Sequence, residues 1–395
     1  ENYTLSLHDA LPIFGFATLE LKPIAQNQTR KDEHNPQDSP ISIAEQTNEI
    51  ILRNKYLEMH INKQTGNISK LYHLSMNYNF IPSGSEMNQI ILIEDKGDSE
   101  GRFKKGDDKL IRLDGKTVRL TNALKTTIIE QGPVRFVIQS EYKFKSTTFN
   151  RKTVFYAELP QIRCELDVDW HETRLMVKIG FPFSISMPQI TCDSAYCAVS
   201  RPMDGNDYSN QKWVDIADES GGFAVMNKGQ YAYDCRDNEL RINFLRSPTE
   251  PANNNEAGNH KLEYSIFPHT GSWKEARCAR VGYEYNNPVI SIAETSHLGV
   301  CPPKISMLNI DAPNIIIDVV KNAYDSSSII LRGCEYHGVE TECAINLKLN
   351  DLSILKAFET DLLERNIKEM PLEGNTLNVI FKSHEIKTLK LVYST

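Results

Sequence analysis

Two side chains near the ends of alternating stretches are the first candidates for chemistry, Arg246 and His260. Residues 240–248 alternate apolar and polar side chains until Pro248, a pattern typical of a half-buried strand. Arg246 falls in phase with the apolar residues of that stretch, and His260 is in phase with Leu262 and the apolar residues that follow. Neither group can lie unpaired in a dry core, so the two either complete a buried polar network or face a cleft.

Three carboxylates lie close together in the sequence at Asp167, Asp169 and Glu172. A pair of carboxylates is what the hydrolysis of a glycosidic bond requires. The strict alternation of residues 163–170, however, places Asp167 and Asp169 on the solvated face of a strand and Trp170 in the core. We therefore expect a structural strand here rather than a catalytic pair.

The elements that position these groups belong to an ordinary globular chain. Its 395 residues are enough for two or more domains, and 40% hydrophobic with 24% charged residues is a normal composition. The net charge of −8 argues against nucleic acid or an anionic membrane as the main partner. No apolar run reaches the roughly 18 residues that a membrane helix needs.

The eight cysteines are scattered and form no CxxC pair. Several are in phase with apolar neighbours, which favours buried free thiols over a disulfide framework or a zinc cage. Free thiols favour a reducing compartment, and we expect a cytoplasmic location.

Changes in pattern divide the chain into four segments. Residues 1–13 fit nothing that follows and look like translated adapter sequence, in which case the chain is a fragment. Residues 14–48 read as an edge strand and a mobile linker. From 49 to 300 strand follows strand, which predicts a large β-domain, and the short strands of 301–395 predict a smaller β-sandwich. Within the last segment, the leucines of 352–363 have spacing compatible with a helix, although no cap supports one.

Several short elements occur in one order between Trp213 and Trp273. They are Trp213-Val214-Asp215, Gly222–Asn227, Tyr231–Asp234, Leu245–Pro248, Phe267-Pro268-His269 and Gly271-Ser272-Trp273. This series resembles the C-terminal region of glycoside hydrolase family 38, the α-mannosidases, and Asp169–Glu172 matches a further signature of the family. The Asp-Ala-Trp-Asp element of the family is replaced by Asp98–Phe103, which leaves the fine substrate specificity open.

The resemblance implies an all-β fold, with a large two-sheet supersandwich similar to galactose mutarotase followed by a smaller β-sandwich. It implies a retaining α-mannosidase that acts on terminal α-mannosides or manno-oligosaccharides. In the family, the nucleophile and the zinc ligands lie in an N-terminal barrel, which this sequence does not show. We therefore expect this chain to be inactive alone, to bind no zinc itself, and to shape the cleft of its own catalytic barrel. The oligomeric state is left open.

The resemblance also assigns residues to the substrate cleft. Arg246 is the strongest candidate, because a guanidinium can bind sugar hydroxyls or orient a carboxylate of the barrel. His260, Arg201 and Asp204 are weaker candidates for the rim of the cleft. For Arg201-Pro202, an ordinary strand end is an equally good interpretation.

Two other functions are compatible with the residues. A stand-alone carbohydrate-binding module would need an aromatic platform, for which Tyr208, Trp213 and Trp273 are candidates. A mutarotase-like epimerase would need a histidine and a glutamate in one cleft. His260 and Glu263 fit that role poorly, because their spacing places them on opposite faces of a strand.

Overall fold

The computed structural model of the chain describes residues 15–17, 40–95, 116–248, 256–295, 303–324, 328–348 and 353–394. The described residues form two compact units, the first made of 40–194 and 199–286, and the second of 15–17, 195–198 and 287–394. The expected leader, residues 1–13, lies outside the described residues, as does most of the expected linker. In the described ranges no helix has the length and apolar character needed to cross a membrane.

The first unit is built almost entirely from strands, numbered along the chain after β1 (Gly15–Ala17). They are β2 (Ser42–Glu45), β3 (Glu49–Arg53), β4 (Leu57–Asn62), β5 (Ile68–His73), β6 (Tyr78–Asn79), β7 (Gln89–Glu94), β8 (Thr117–Arg119), β9 (Lys125–Gln131), β10 (Arg135–Phe144), β11 (Thr147–Tyr156), β12 (Ile162–Trp170), β13 (Leu175–Pro182), β14 (Gln189–Ser194), β15 (Cys197–Arg201), β16 (Tyr208–Ser209), β17 (Trp213–Ala217), β18 (Gly221–Asn227), β19 (Ala232–Arg236), β20 (Glu239–Ser247) and β21 (Gly258–Thr270). One α-helix, α1 (Cys278–Asn286), follows β21.

Three sheets organise these strands around one core. Five strands form a sheet in the order β2-β3-β4-β5-β6, and six form a second in the order β16-β19-β20-β13-β7-β8. Nine form the third, in the order β15-β14-β17-β18-β21-β12-β11-β10-β9. Leu57, Ile179 and Leu166 represent the three sheets in a single apolar cluster. The five-stranded sheet is an addition to the two sheets that the sequence predicted.

Strand β12 shows why the alternating stretches were predicted correctly. Cys164, Leu166, Val168 and Trp170 are all buried, while Asp169 on the other face is exposed. Successive side chains of a strand point to opposite faces, so the alternating sequence by itself places the apolar residues on one face and the polar residues on the other. The expectation of a structural strand here is confirmed.

Strand β20, which carries Arg246, contains a bulge that changes the predicted phase. Its pairing with β13 joins Asn243 to Lys178 and Leu245 to Val177, so Phe244 is an extra residue. Leu245 therefore joins the core, and Arg246 lies on the opposite face of the sheet. The prediction that Arg246 shares the inward face of its strand is wrong for this reason.

The second unit is a smaller pair of sheets with its own core. Its strands are β22 (Lys304–Ser306), β23 (Leu308–Ile310), β24 (Ile315–Asn322), β25 (Ser328–Glu335), β26 (Thr341–Leu347), β27 (Ser353–Thr360), β28 (Asn366–Met370), β29 (Leu372–Glu373), β30 (Thr376–Phe381) and β31 (Ile386–Ser394). Sheets of order β23-β26-β30-β29 and β24-β25-β31-β27-β28 share an apolar cluster that includes Ile345, Leu377 and Leu391, and β1 pairs with β22. The predicted fold class, an all-β chain with a large sandwich followed by a smaller one, is confirmed. Of the leucines whose spacing suggested a helix, Leu355 lies in β27 and Leu362 and Leu363 lie in the turn after it, while Leu352 is outside the described residues.

Helix α1 was not predicted. Ser272 and Glu275 form a capping box ahead of it: the Ser272 N–H donates to Glu275 Oε2 at 2.8 Å, and the Glu275 N–H donates to Ser272 Oγ at 3.4 Å. Gly282 lets the helix approach β17, because a Cβ there would lie 2.6 Å from the Trp213 ring. The Ser-x-x-Glu spacing is the sequence signal that could have found this turn.

Candidate functional site

Arg246 and Asp95 form a forked ion pair on the outer face of the six-stranded sheet. The Nε–H of Arg246 donates to Oδ2 of Asp95, and Nη2 donates to Oδ1 at 3.2 Å. The Asp95 side chain is 1% exposed, whereas that of Arg246 is 22% exposed. The carboxylate is thus the buried partner, and the guanidinium is the group that reaches solvent.

A second group of charges lies on the same face and is referred to here as the Lys178 cluster (Lys178, Asp207, Asp234 and Arg241). The Lys178 ammonium, 1% exposed, donates to Asp207 Oδ1 at 2.8 Å and also to Asp234. Asp234 is equally buried and accepts from Arg241 Nε at 2.7 Å. A buried ammonium is tolerated only with such partners. The cluster therefore fixes Asp207, and with it the loop between β15 and β16, on the sheet.

That loop brings together three residues that the sequence suggested separately. The Tyr208 hydroxyl donates to Asp204 Oδ2 at 2.8 Å, and the Arg201 guanidinium lies 5.6 Å from the centre of the Tyr208 ring. The hydrogen bond from the Asn206 N–H, together with that from Tyr208, lowers the pKa of Asp204. A carboxylate and a guanidinium that contact the same tyrosine offer both acceptors and donors, which is the set that a hydroxyl-rich ligand uses.

His260 lies apart from Arg246. It belongs to β21 in the nine-stranded sheet, whereas Arg246 belongs to the six-stranded sheet, so the two residues are not on neighbouring strands as expected. His260 is opposite Val168, on the apolar face that was predicted. Its Nε2 lies 2.6 Å from the carbonyl oxygen of Glu256, two residues ahead of its own strand.

The pairing needed for epimerase chemistry is not formed. Glu263 accepts hydrogen bonds from Lys228 at 2.8 Å and makes an ion pair with Lys261 at 2.8 Å. The two ammonium groups lower the pKa of Glu263 to about 2. His260 and Glu263 thus have different partners, in agreement with the expectation from their spacing.

The aromatic side chains suggested as a sugar-binding platform mostly pack against other side chains of the protein. Trp213 is fully buried and lies against Trp273, with 5.4 Å between the ring centres. The Tyr208 ring lies near both Arg201 and Tyr233, whose ring centre is 6.3 Å away. Trp213 is therefore a core residue and cannot serve as a sugar-stacking surface.

Asp215, His269 and Cys278 are the one group of three potential metal ligands within the described ranges. One ligand atom of each lies within 4.8 Å of the others, and all three side chains are buried. His269 Nε2 is 2.7 Å from Asp215 Oδ1, so these two groups satisfy each other. Burial raises the pKa of the Cys278 thiol. All three side chains are buried, whereas a catalytic zinc ion keeps one position open to water or substrate, so this group does not fit a catalytic zinc site.

Of the seven cysteines that the structure describes, six are buried and none forms a disulfide. Cys197 is the partly exposed one. Burial raises the pKa of the Cys164 thiol to about 11. The predicted burial of thiols is confirmed for six of these residues, whose sulfur atoms are shielded from solvent and from reagents.

Sequence reasoning did not find Asp95, Lys178 or Asp234. Lys178 carried a usable signal, because it is the single charge inside the apolar stretch 175–183 and had to find a buried carboxylate. Asp95 carried none, since it is simply the first residue after the strand β7. Its partner lies 151 positions further along the chain, and only the folded sheet brings the two together.

Two family models match the chain. The glycosyl hydrolases family 38 C-terminal domain matches residues 52–254, and the glycosyl hydrolases family 38 C-terminal beta sandwich domain matches residues 314–389. The chain belongs to glycosyl hydrolase family 38. The matches confirm the resemblance to family 38 that the short elements between Trp213 and Trp273 indicated. They cover both the large β-domain and the smaller β-sandwich of this family 38 chain.

Relatives of this family 38 chain are named α-mannosidases. Alpha-mannosidase 2C1 of Mus musculus is 24% identical over 375 residues, covering 90% of this chain and 35% of the relative. Alpha-mannosidase G of Dictyostelium discoideum is 24% identical over 403 residues, covering 97% of this chain and 36% of the relative. An α-mannosidase structure from Enterococcus faecalis V583 superposes with a TM-score of 0.72 at 16% identity, over 88% of this chain and 43% of that chain. The family 38 chain thus spans about a third of the length of these curated relatives.

Proposed function

We propose that this chain is the C-terminal, cleft-shaping part of a retaining, zinc-dependent α-mannosidase that hydrolyses terminal α-mannosides. The main support is the match of both family 38 domains, at residues 52–254 and 314–389. The names of the relatives support the reaction, and their greater length supports a separate catalytic part. The partners of this chain in the proposal are an α-mannoside or manno-oligosaccharide and the catalytic barrel of the same protein, in the cytoplasm.

The zinc of the proposed enzyme is assigned to the catalytic barrel. Among the described residues, the candidate ligands Asp215, His269 and Cys278 are enclosed, and two of them already bond each other. A catalytic zinc ion keeps one position open for water or substrate. The proposal therefore assigns no step through zinc to the described residues of this chain.

The contribution of this chain is the wall of the substrate cleft. Arg246 is proposed to face bound sugar, because its guanidinium is oriented by a buried carboxylate and is still partly exposed. Arg201 and Asp204, now linked through Tyr208, are proposed for the rim. His260 is retained as a rim residue of a different sheet.

The test is hydrolysis of 4-nitrophenyl α-D-mannopyranoside by the full-length protein and by the 395-residue chain. The full-length protein should be active, should lose activity on treatment with a chelator and should regain it with zinc. The 395-residue chain should be inactive with added zinc. An inactive full-length protein, combined with millimolar or tighter binding of mannose by the short chain, would favour a carbohydrate-binding module instead.

A further inference from the structure

We propose that Asp95 is a positioning residue for Arg246. It engages two N–H groups of the guanidinium and leaves the Nη1 group to donate hydrogen bonds to a hydroxyl of the sugar substrate. This inference rests on the proposed function, because it requires Arg246 to face bound sugar. It deepens that function by naming the residue that orients the guanidinium and the atom that meets the ligand.

The hydrogen bonds of Arg246 use only one side of its guanidinium. Nε and Nη2 donate to the two carboxylate oxygens of Asp95, and Nη1 has no hydrogen-bond partner within the described part of the chain. The five N–H donors of an arginine lie in one plane. Two bonds to a fixed carboxylate therefore set the direction of the remaining donors as well.

A second arginine–carboxylate pair on the same sheet is arranged differently. Arg119 donates from Nη1 to Glu239 Oε1 at 2.6 Å and from Nη2 to Glu239 Oε2 at 2.7 Å. Its Nη1 also donates to Gln89 Oε1 at 2.6 Å. Both Nη atoms of Arg119 are thus engaged within the protein, whereas Arg246 retains one for a ligand. Arg119 is for this reason a matched control.

Both members of the Asp95–Arg246 pair are held by the sheet. Asp95 directly follows β7, and its N–H donates to the Arg174 carbonyl oxygen at 2.8 Å. Arg246 lies within β20, opposite Met176 of β13, and β13 separates β7 from β20. The bulge at Phe244 is what brings Arg246 to this face. A group supported by strands is placed more precisely than one carried by a loop.

Because Asp95 is buried, its carboxylate is needed to hold the Arg246 guanidinium in place. At 1% exposure, solvent cannot replace the carboxylate as the partner of Arg246. Asparagine has nearly the same shape but only one acceptor oxygen, and its amide N–H groups would face those of the guanidinium. Asp95→Asn therefore preserves the volume of the side chain but no longer fixes the orientation of the Arg246 guanidinium.

The experiment compares Asp95→Asn, Arg246→Ala, the Arg246→Ala/Asp95→Asn double variant and Arg119→Gln in the full-length protein, with 4-nitrophenyl α-D-mannopyranoside as substrate. Asp95→Asn should lower kcat/KM about tenfold or more, while Arg119→Gln should stay within about twofold of wild type. Added guanidinium should restore activity to Arg246→Ala by about fivefold or more. It should restore little activity to the double variant, in which nothing orients the added cation. A purely structural role for Asp95 would not produce this difference in rescue.

Three outcomes overturn the proposal while the wild-type protein is active. They are wild-type kinetics for Asp95→Asn, equal losses in Asp95→Asn and Arg119→Gln, and equal rescue with and without Asp95. If the wild-type protein shows no α-mannosidase activity, the proposed function fails and this inference fails with it. The wild-type measurement thus separates the two failures.

Discussion

Replacing Lys178 by methionine tests whether the Lys178 cluster stabilises the six-stranded sheet. Methionine has similar length but lacks the ammonium, so Asp234 and Asp207 each lose one hydrogen-bond donor. Asp234 keeps its bond from Arg241, and Asp207 keeps the one from the side-chain amide of Asn243 at 2.9 Å. Each charge-assisted hydrogen bond is worth about 1.5–3 kcal/mol, and breaking a buried pair costs about 3–5 kcal/mol. Because Asp207 is 31% exposed, its bond contributes at the low end of that range. We expect the free energy of unfolding to fall by about 3 kcal/mol.

Urea denaturation of the 395-residue chain, followed by tryptophan fluorescence, measures this change. All three tryptophans of the sequence, Trp170, Trp213 and Trp273, lie in the first unit and report on its unfolding. Lys261→Met is the matched control, since the Lys261 side chain is 51% exposed and surface ion pairs contribute about 0–1 kcal/mol. A Lys178→Met chain with the wild-type midpoint, or equal losses in both variants, would refute the reasoning.

Three further predictions use other residues of the described chain. Arg246→Leu in the full-length protein should lower kcat/KM about tenfold or more, and unchanged kinetics would remove Arg246 from the site. Burial lowers the pKa of His269, but the charge and hydrogen bond of Asp215 outweigh it and raise that pKa above 6.5. The stability from this pair is therefore complete below pH 6.5 and is lost as pH rises through the folded pKa, so the urea midpoint should fall as the pH is raised above 6.5, and less so in His269→Gln. Ellman's reagent should modify Cys197 in the native chain well before Cys164, as located by peptide mass spectrometry, and similar rates would contradict the assigned burial.

The sequence was most informative where a single strand explains its own pattern. In β12, the alternation from Cys164 to Trp170 corresponds residue by residue to the buried face. The hairpin of β4 and β5 likewise turns at Gly66, whose φ of 72° suits glycine. These features depend on local backbone geometry, which the order of residues determines directly.

The candidate site depended instead on contacts that no local pattern records. The bulge at Phe244 places Arg246 on the opposite face of the sheet from the one predicted, and the alternation from Leu240 onward contains no signal for that bulge. Arg201, Asp204 and Tyr208 were each suggested singly, but their association requires the turn that joins Asp204 to the Tyr208 hydroxyl. Local periodicity therefore predicted the strands, whereas the polar contacts on their outer face became visible only in the folded structure.

The ion pairs on the six-stranded sheet are better explained by orientation than by stability. Removing Lys178 alone leaves a buried carboxylate behind, but replacing a whole buried ion pair by well-packed apolar side chains often matches or exceeds its stability. Lys178 instead fixes Asp207, 31% exposed, and Asp95 fixes Arg246, 22% exposed. In both pairs a buried charge restrains a partner that solvent can reach, at a cost in desolvation that a purely structural sheet would avoid. Such a face is suited to presenting polar groups in fixed directions, which is the role that a wall of a sugar-binding cleft requires.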